Sequence, residues 1–163
     1  MNTKYPDTFA AFQYRGQPWS LEDMYNAHYS QFSDFFGHMP YVRYESEGKR
    51  VVELGVHKGQ STVSFLSTSG SVHSYDIDEC AIGREMLDEA CMTREREWKF
   101  TQADSLSIDI EQCDILFIDT LHTGAQIYQE LHRHHHAVDK GGLIMMHDTS
   151  VFLDMQYGIA QFM

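Results

Sequence analysis

The stretch Val51-Val52-Glu53-Leu54-Gly55-Val56-His57-Lys58-Gly59-Gln60-Ser61 decides how this chain reads. An apolar run closes on an acid, a glycine follows at once, and a second glycine opens a helical pattern. A buried strand is therefore expected to turn directly into a helix N-terminus. Such a junction can form a ligand site: Gly55 has no Cβ to hold a ligand off the backbone, and the unsatisfied N–H groups from Gly59 to Thr62 face the same crevice. The same residues also make the tight turn that any α/β protein uses, so the stretch alone leaves both readings open.

Outward from it, strand and helix patterns alternate. Strands are expected at 50–56, 72–77, 98–102, 114–119 and 142–147, and helices at 60–68, 79–92 and 124–138, with Ile82, Met86 and Ala90 as the inward stripe of the second helix. Alternation with short connections implies an α/β fold, a Rossmann-like doubly wound parallel sheet with strand order 3-2-1-4-5. Ligands bind such sheets at the C-terminal strand ends.

Polar residues collect at those ends. Asp76 closes the second strand, 21 residues after Gly55, where an acid accepts hydrogen bonds from ribose hydroxyls; the alternative is a solvated strand-end acid. Asp104-Ser105 follows the third strand and can bond an adenine amino group. A dinucleotide fingerprint needs Gly-x-Gly-x-x-Gly, whereas Gly55 and Gly59 are four apart. Ile118-Asp119-Thr120-Leu121-His122 and Met145-Met146-His147-Asp148-Thr149 close the fourth and fifth strands. Neighbouring strand ends lie about 5 Å apart, so Asp119, His147 and Asp148 can converge on one divalent cation. The carboxylates favour Mg²⁺ or Mn²⁺, and the imidazole leans toward the transition series. The alternative leaves Asp119 to a cofactor and His147-Asp148 capping a loop.

Residues 1–17 show no period. From Ser20, where Ser20-x-x-Asp23 resembles a capping box, Leu21, Met24, Tyr25, His28, Tyr29, Phe32, Phe35 and Phe36 recur at helical spacing up to Gly37. This aromatic stripe packs on the body, roofs a substrate pocket, or serves a homodimer. All three prolines precede residue 41, so residues 1–40 are expected to form a helical lead-in and 41–163 the main domain. The run His132-Arg133-His134-His135-His136 is expected to be a solvated helix face. A net charge of −12 repels phosphate backbones and argues against nucleic acid as a partner. No apolar run reaches the length of a membrane span, the N-terminus has no signal-peptide core, and the three cysteines lack metal spacing, so a reducing cytoplasm is the expected location.

Val-Glu-Leu-Gly-x-x-x-Gly-x-Ser, Tyr-Asp-Ile-Asp, Phe-Ile-Asp-x-x-His and Gly-Gly-Leu-Ile-Met-Met-His-Asp-Thr, in that order between Lys49 and Thr149, resemble the class I methyltransferases that use S-adenosylmethionine (SAM). Within these the chain is similar to the metal-dependent O-methyltransferases, the group of the catechol, macrolide-sugar and cephalosporin-hydroxylase-like proteins. The resemblance implies that Glu53, Gly55 and Gly59 belong to the first cofactor motif, with Gly55 at the methionine amino group and Ser61 at its carboxylate. It further implies that Asp76 takes the ribose, that Asp119 is the first metal ligand, and that His122 is the general base acting on a hydroxylated small molecule. The methyl group would pass in line from the sulfonium to an oxygen whose proton His122 removes. Two departures stand out: His147 occupies a position where a carboxylate is expected, and the chain ends before the family's C-terminal antiparallel strands. The second suggests a truncated domain with an exposed sheet edge.

Overall fold

The computed structural model describes residues 20–31, 33–79, 87, 90–91 and 97–163. Residues 1–17, Phe32, Cys80 and the stripe residues Ile82 and Met86 lie outside the described residues. Five parallel strands, β1 (Arg50–Leu54), β2 (Ser71–Asp76), β3 (Glu97–Gln102), β4 (Cys113–Ile118) and β5 (Val138–Met146), form one sheet in the order β3-β2-β1-β4-β5, as expected. The order reverses between β1 and β4, which opens a crevice above their C-terminal ends.

Period-2 alternation sends strand residues to two cores. Val51, Val72, Ile115 and Phe117 meet α1 (Leu21–Tyr29), α2 (Met39–Glu45) and α3 (Gln60–Leu66) through Leu21, Met24, Met39, Val63 and Phe65. Val52, Leu54, Leu116 and Ile118 meet α4 (Gly124–His134) and α5 (Leu153–Phe162) through Ile127, Leu131 and Met155. Of the helix expected at 79–92, Leu87, Ala90 and Cys91 are described and buried in the first core. Among the described residues no helix is long and apolar enough to cross a membrane.

Three local expectations need correction. The capping box forms: Ser20 Oγ accepts from the Asp23 N–H at 3.1 Å, and Asp23 Oδ2 accepts from the Ser20 N–H at 3.1 Å. But α1 ends at Tyr29 rather than reaching Gly37. Beyond it Ser33 Oγ and Asp34 Oδ1 accept from the N–H groups of Phe36 and Phe35, offering the backbone an alternative to helix. Strand β5 starts at Val138, not Gly142, because the register with β4 shifts between Cys113 and Ile115 and Gly141, at φ +89°, absorbs the irregularity. The histidine run is not a uniformly solvated face either. His134 is buried, and its Nε2 lies 2.8 Å from the Ser105 carbonyl.

Candidate active site

The crevice is built where β1, β2 and β4 end. Gly55 sits at φ +91°, and a Cβ there would lie 2.0 Å from the Asp119 carbonyl oxygen. Its bareness is thus demanded first by the neighbouring strand's backbone, and this close approach keeps Asp119 beside the β1 turn. Gly59, at φ +74°, caps α3, and its N–H donates to the Val56 carbonyl at 2.7 Å. That N–H is therefore spent in the turn rather than offered to the crevice. Ser61, two residues further on, lines the crevice.

Glu53 does not face a ligand. It is fully buried and accepts hydrogen bonds from the hydroxyls of Ser61 (2.6 Å), Thr62 (2.7 Å) and Ser74 (2.6 Å). Burial pushes its carboxyl up to about 7 against the pull of those three hydroxyls, and the nearby charge of Asp119 adds to the rise. Its place is behind the site, tying β1, β2 and the start of α3 together, with the Ser61 hydroxyl turned toward it.

Asp76 does stand at the crevice wall. Its Oδ2 accepts from the N–H groups of Val56 (2.7 Å) and His57 (3.1 Å), and its Oδ1 from that of Asp78 (3.0 Å). The carboxylate shapes the loop after β1, and its oxygens keep lone pairs for further donors. Asp104 Oδ1 caps the short 3-10 turn Ser105–Ser107 by accepting from the Leu106 N–H at 2.9 Å. Ser105 lines the cavity as well, and its hydroxyl donates to the buried Glu130 at 2.5 Å.

Asp119 and His122 follow β4, and His147 and Asp148 follow β5, so adjacent strand tips bring the expected trio of Asp119, His147 and Asp148 near one another, with His122 beside them. His122 Nε2 lies 3.1 Å from Asp119 Oδ1 and 3.6 Å from Asp148 Oδ2. His147 Nδ1 lies 3.5 Å from Asp119 Oδ1 and 3.4 Å from Asp148 Oδ1. Among the described residues, the group whose donor atoms all fall within 4.8 Å of one another is Asp119, His122 and Asp148. This cluster holds His122 where the sequence expectation has His147, although His147 Nδ1 lies within 3.5 Å of both carboxylates as well. The two imidazoles differ in their surroundings: His147 is buried between Phe35 (ring centroids 5.2 Å) and His38 (5.4 Å), whereas the more exposed His122 stacks on Phe152 at 4.6 Å. Cis ligands about 2.1 Å from one octahedral ion stand about 3 Å apart, so the 3.1 Å and 3.6 Å separations suit a small divalent cation. Burial works to raise the Asp119 carboxyl, but hydrogen bonds and charge from His147 and His122 outweigh it and hold Asp119 below the usual carboxylate range.

Three cavities meet here. The largest, about 460 Å³, runs over β1 and β2 past Gly55, Asp76, Asp104 and Gln126 to Asp119. A second, about 250 Å³, takes in Ser61, Asp119, His122 and Asp148. The third, about 430 Å³, is bounded by Phe35, His38, Tyr41, Met145 and His147 and shares Phe35, His147 and Asp148 with the second. Phe35, from the aromatic stripe, lines the second and third cavities and also packs in the first core with Leu21 and Met24. The wall built by Glu130, Gln126 and Thr120 was not read from the sequence. Glu130 lies four residues after Gln126 on a helix, a spacing that also fits an exposed pair.

The methyltransferase domain family matches residues 52–149. No curated protein matches the chain. Among solved structures, a protein assigned by name as an rRNA-methylase from Clostridium thermocellum is similar at 15% identity, with a TM-score of 0.58 over 82% of this chain and 80% of that one. The N-methyltransferase NodS from Bradyrhizobium japonicum WM9, in complex with S-adenosyl-L-homocysteine, is similar at 11% identity and TM-score 0.54 over 78% and 72%. TehB from Haemophilus influenzae is similar at 15% identity and TM-score 0.55 over 68% and 39%. The chain spans 64% of another NodS structure and that 39% of TehB, less than two thirds of either. At these identities the likenesses speak to the fold.

Proposed function

The chain belongs to the methyltransferase domain family of class I, SAM-dependent fold, and on that premise we propose that it transfers a methyl group from SAM to a hydroxyl of a small molecule. The observation that carries this reading is the convergence of Asp119, His122 and Asp148 at the end of a nucleoside-sized cavity bounded by Gly55 and Asp76. In this reading the nucleoside lies along β1 and β2 with Asp76 at the ribose, and the methionine end reaches past Gly55 toward Ser61. The acceptor enters through the cavity lined by Phe35 and His38.

Asp119, His122 and Asp148 would hold a divalent cation. When bound, such an ion lowers the pKa of an acceptor hydroxyl and orients its oxygen. The chain supplies the rest. Phe35 and Phe152 restrict water around the imidazoles. Asp119, shared between cavities, would set where the acceptor meets the methyl group, and with His122 engaged as a ligand, His147 beside Asp119 is the imidazole assigned to the proton, with His57 lining the same cavity.

A second reading rests on the 3.1 Å contact between His122 Nε2 and Asp119 Oδ1. An imidazole held by a carboxylate is itself a general base, and His122 would then act without metal. Methyl transfer from radiolabelled SAM to a panel of phenols, sugars and polyketide-like alcohols separates the two. Loss of transfer in EDTA, restored by Mg²⁺ or Mn²⁺, supports the cation. Activity that survives EDTA but disappears in His122→Ala supports the base. SAM binding with no transfer to any acceptor would refute both.

A further inference from the structure

Beyond the groups assigned above, the buried carboxylate of Glu130 has a consequence for the cavity wall. Glu130 is fully buried, and its hydrogen-bond partners among the described residues are all donors: the Ser105 hydroxyl at 2.5 Å, the Thr120 hydroxyl at 2.8 and 2.9 Å from its two oxygens, and Gln126 Nε2 at 2.8 Å, with the charge of Asp104 also acting on it. Gln126 and Glu130, four apart on α4, share one helix face. Because the Ser105 hydroxyl gives its proton to Glu130, its lone pairs are free to accept, and Gln126 Nε2 lies 3.2 Å away to donate to them. Both acceptors therefore sit on the nitrogen side of the amide, which fixes its orientation. The amide oxygen, Oε1, is left on the other side with no partner among the described residues, and Gln126 lines the nucleoside-sized cavity together with Asp76, Asp104 and Thr120.

We propose that Gln126, aimed by the buried Glu130, reads the exocyclic amino group of the cofactor's adenine. The inference rests on the SAM reading above. The free amide oxygen shares this cavity with the carboxylates of Asp76 and Asp104, and an acceptor there matches a donor on the nucleobase. Adenine presents an N–H donor there, whereas hypoxanthine presents a carbonyl, which sets acceptor against acceptor. A site built to accept one hydrogen bond rejects an analogue that cannot supply it. Gln126 is then the residue that touches the base. Glu130 is a positioning residue that acts through it and also holds the Ser105 hydroxyl.

The test is calorimetric titration of the full chain with S-adenosylhomocysteine and with S-inosylhomocysteine, its hypoxanthine counterpart. The expected result is at least about a tenfold preference for the adenine compound in the unaltered protein. Gln126→Met, of similar length without an amide, should bring the two affinities to within about twofold of each other. Glu130→Gln should narrow the ratio as well, a change that a purely structural role would not produce because loss of fold weakens both ligands alike. If Gln126→Met does not fold, the Glu130→Gln ratio decides. A preference that persists in either variant, or that disappears in Asp104→Asn instead, would overturn the proposal while leaving SAM binding intact. Failure of the folded, unaltered protein to bind either compound would remove the SAM reading and this proposal with it.

Discussion

Replacing Glu53 with glutamine should flatten the dependence of stability on pH. In the folded chain the Glu53 carboxyl is pushed from 4.5 up to about 7, chiefly by complete burial, with three hydroxyl donors opposing and Asp119 reinforcing the rise. A raised pKa means that the native state holds the proton more tightly than the unfolded chain. The resulting stability is fully present below pH 4.5 and is lost as pH rises through about 7. The interval between those values, at about 1.4 kcal/mol per pH unit, corresponds to about 3 kcal/mol as an upper figure. Glutamine has nearly the same shape and no titration, and the hydroxyls of Ser61, Thr62 and Ser74 can rotate to accept as well as donate. Equilibrium urea unfolding, followed by circular dichroism from pH 5 to 8.5, reads the effect as the difference between the unaltered protein and E53Q. That difference should move against the unaltered protein by about 2 to 3 kcal/mol across the range, most steeply below pH 7. A difference constant to within about 0.5 kcal/mol would refute the account of Glu53 as a buried, desolvated acid.

Other substitutions probe the close approaches and the cation. Gly55→Ala should destabilise by about 3 kcal/mol or more and abolish SAM binding in any folded fraction, because its Cβ would meet the Asp119 backbone at 2.0 Å from a left-handed position; thermal melts and titration check both. Gly158→Ala, whose Cβ would lie 2.1 Å from the Gly124 carbonyl, forces α4 and α5 apart. Alanine's helix propensity offsets up to about 1 kcal/mol, so urea unfolding should show a net loss of about 1 to 2 kcal/mol. Millimolar Mg²⁺ or Mn²⁺ should raise the melting temperature of the unaltered protein by binding the folded state, and Asp148→Asn should remove most of that rise. An equal rise in both proteins would place the cation elsewhere.

Much of the fold was legible because the strands are apolar runs with sharp ends. Val51–Leu54 and Ile115–Ile118 could be read as buried strands, and parallel order followed from the alternation with helices. The tips of β2, β4 and β5 carry Asp76, Asp119 and Asp148, so the place of the candidate site in the fold was legible too. What the sequence hid depends on side-chain direction across elements. Glu53 sits inside a cofactor motif yet turns inward to Ser61, Thr62 and Ser74, because it shares the face of β1 that packs on α3. Glu130 and His134 lie in a polar helix stretch, and only the arrival of the Ser105 loop against α4 shows that both are buried. The different surroundings of His122 and His147, one stacked on Phe152 and the other packed against Phe35 and His38, depend on partners remote in sequence. The helix end at Tyr29 turned on Ser33 and Asp34, whose side chains cap the backbone locally.

The central claim is that a SAM nucleoside lies across the ends of β1 and β2. A crystal structure of the chain grown with S-adenosylhomocysteine tests it most directly. The account predicts ribose hydroxyls within hydrogen-bond distance of Asp76, and the homocysteine tail passing Gly55 toward Ser61. Density for the nucleoside anywhere else on the molecule would contradict it.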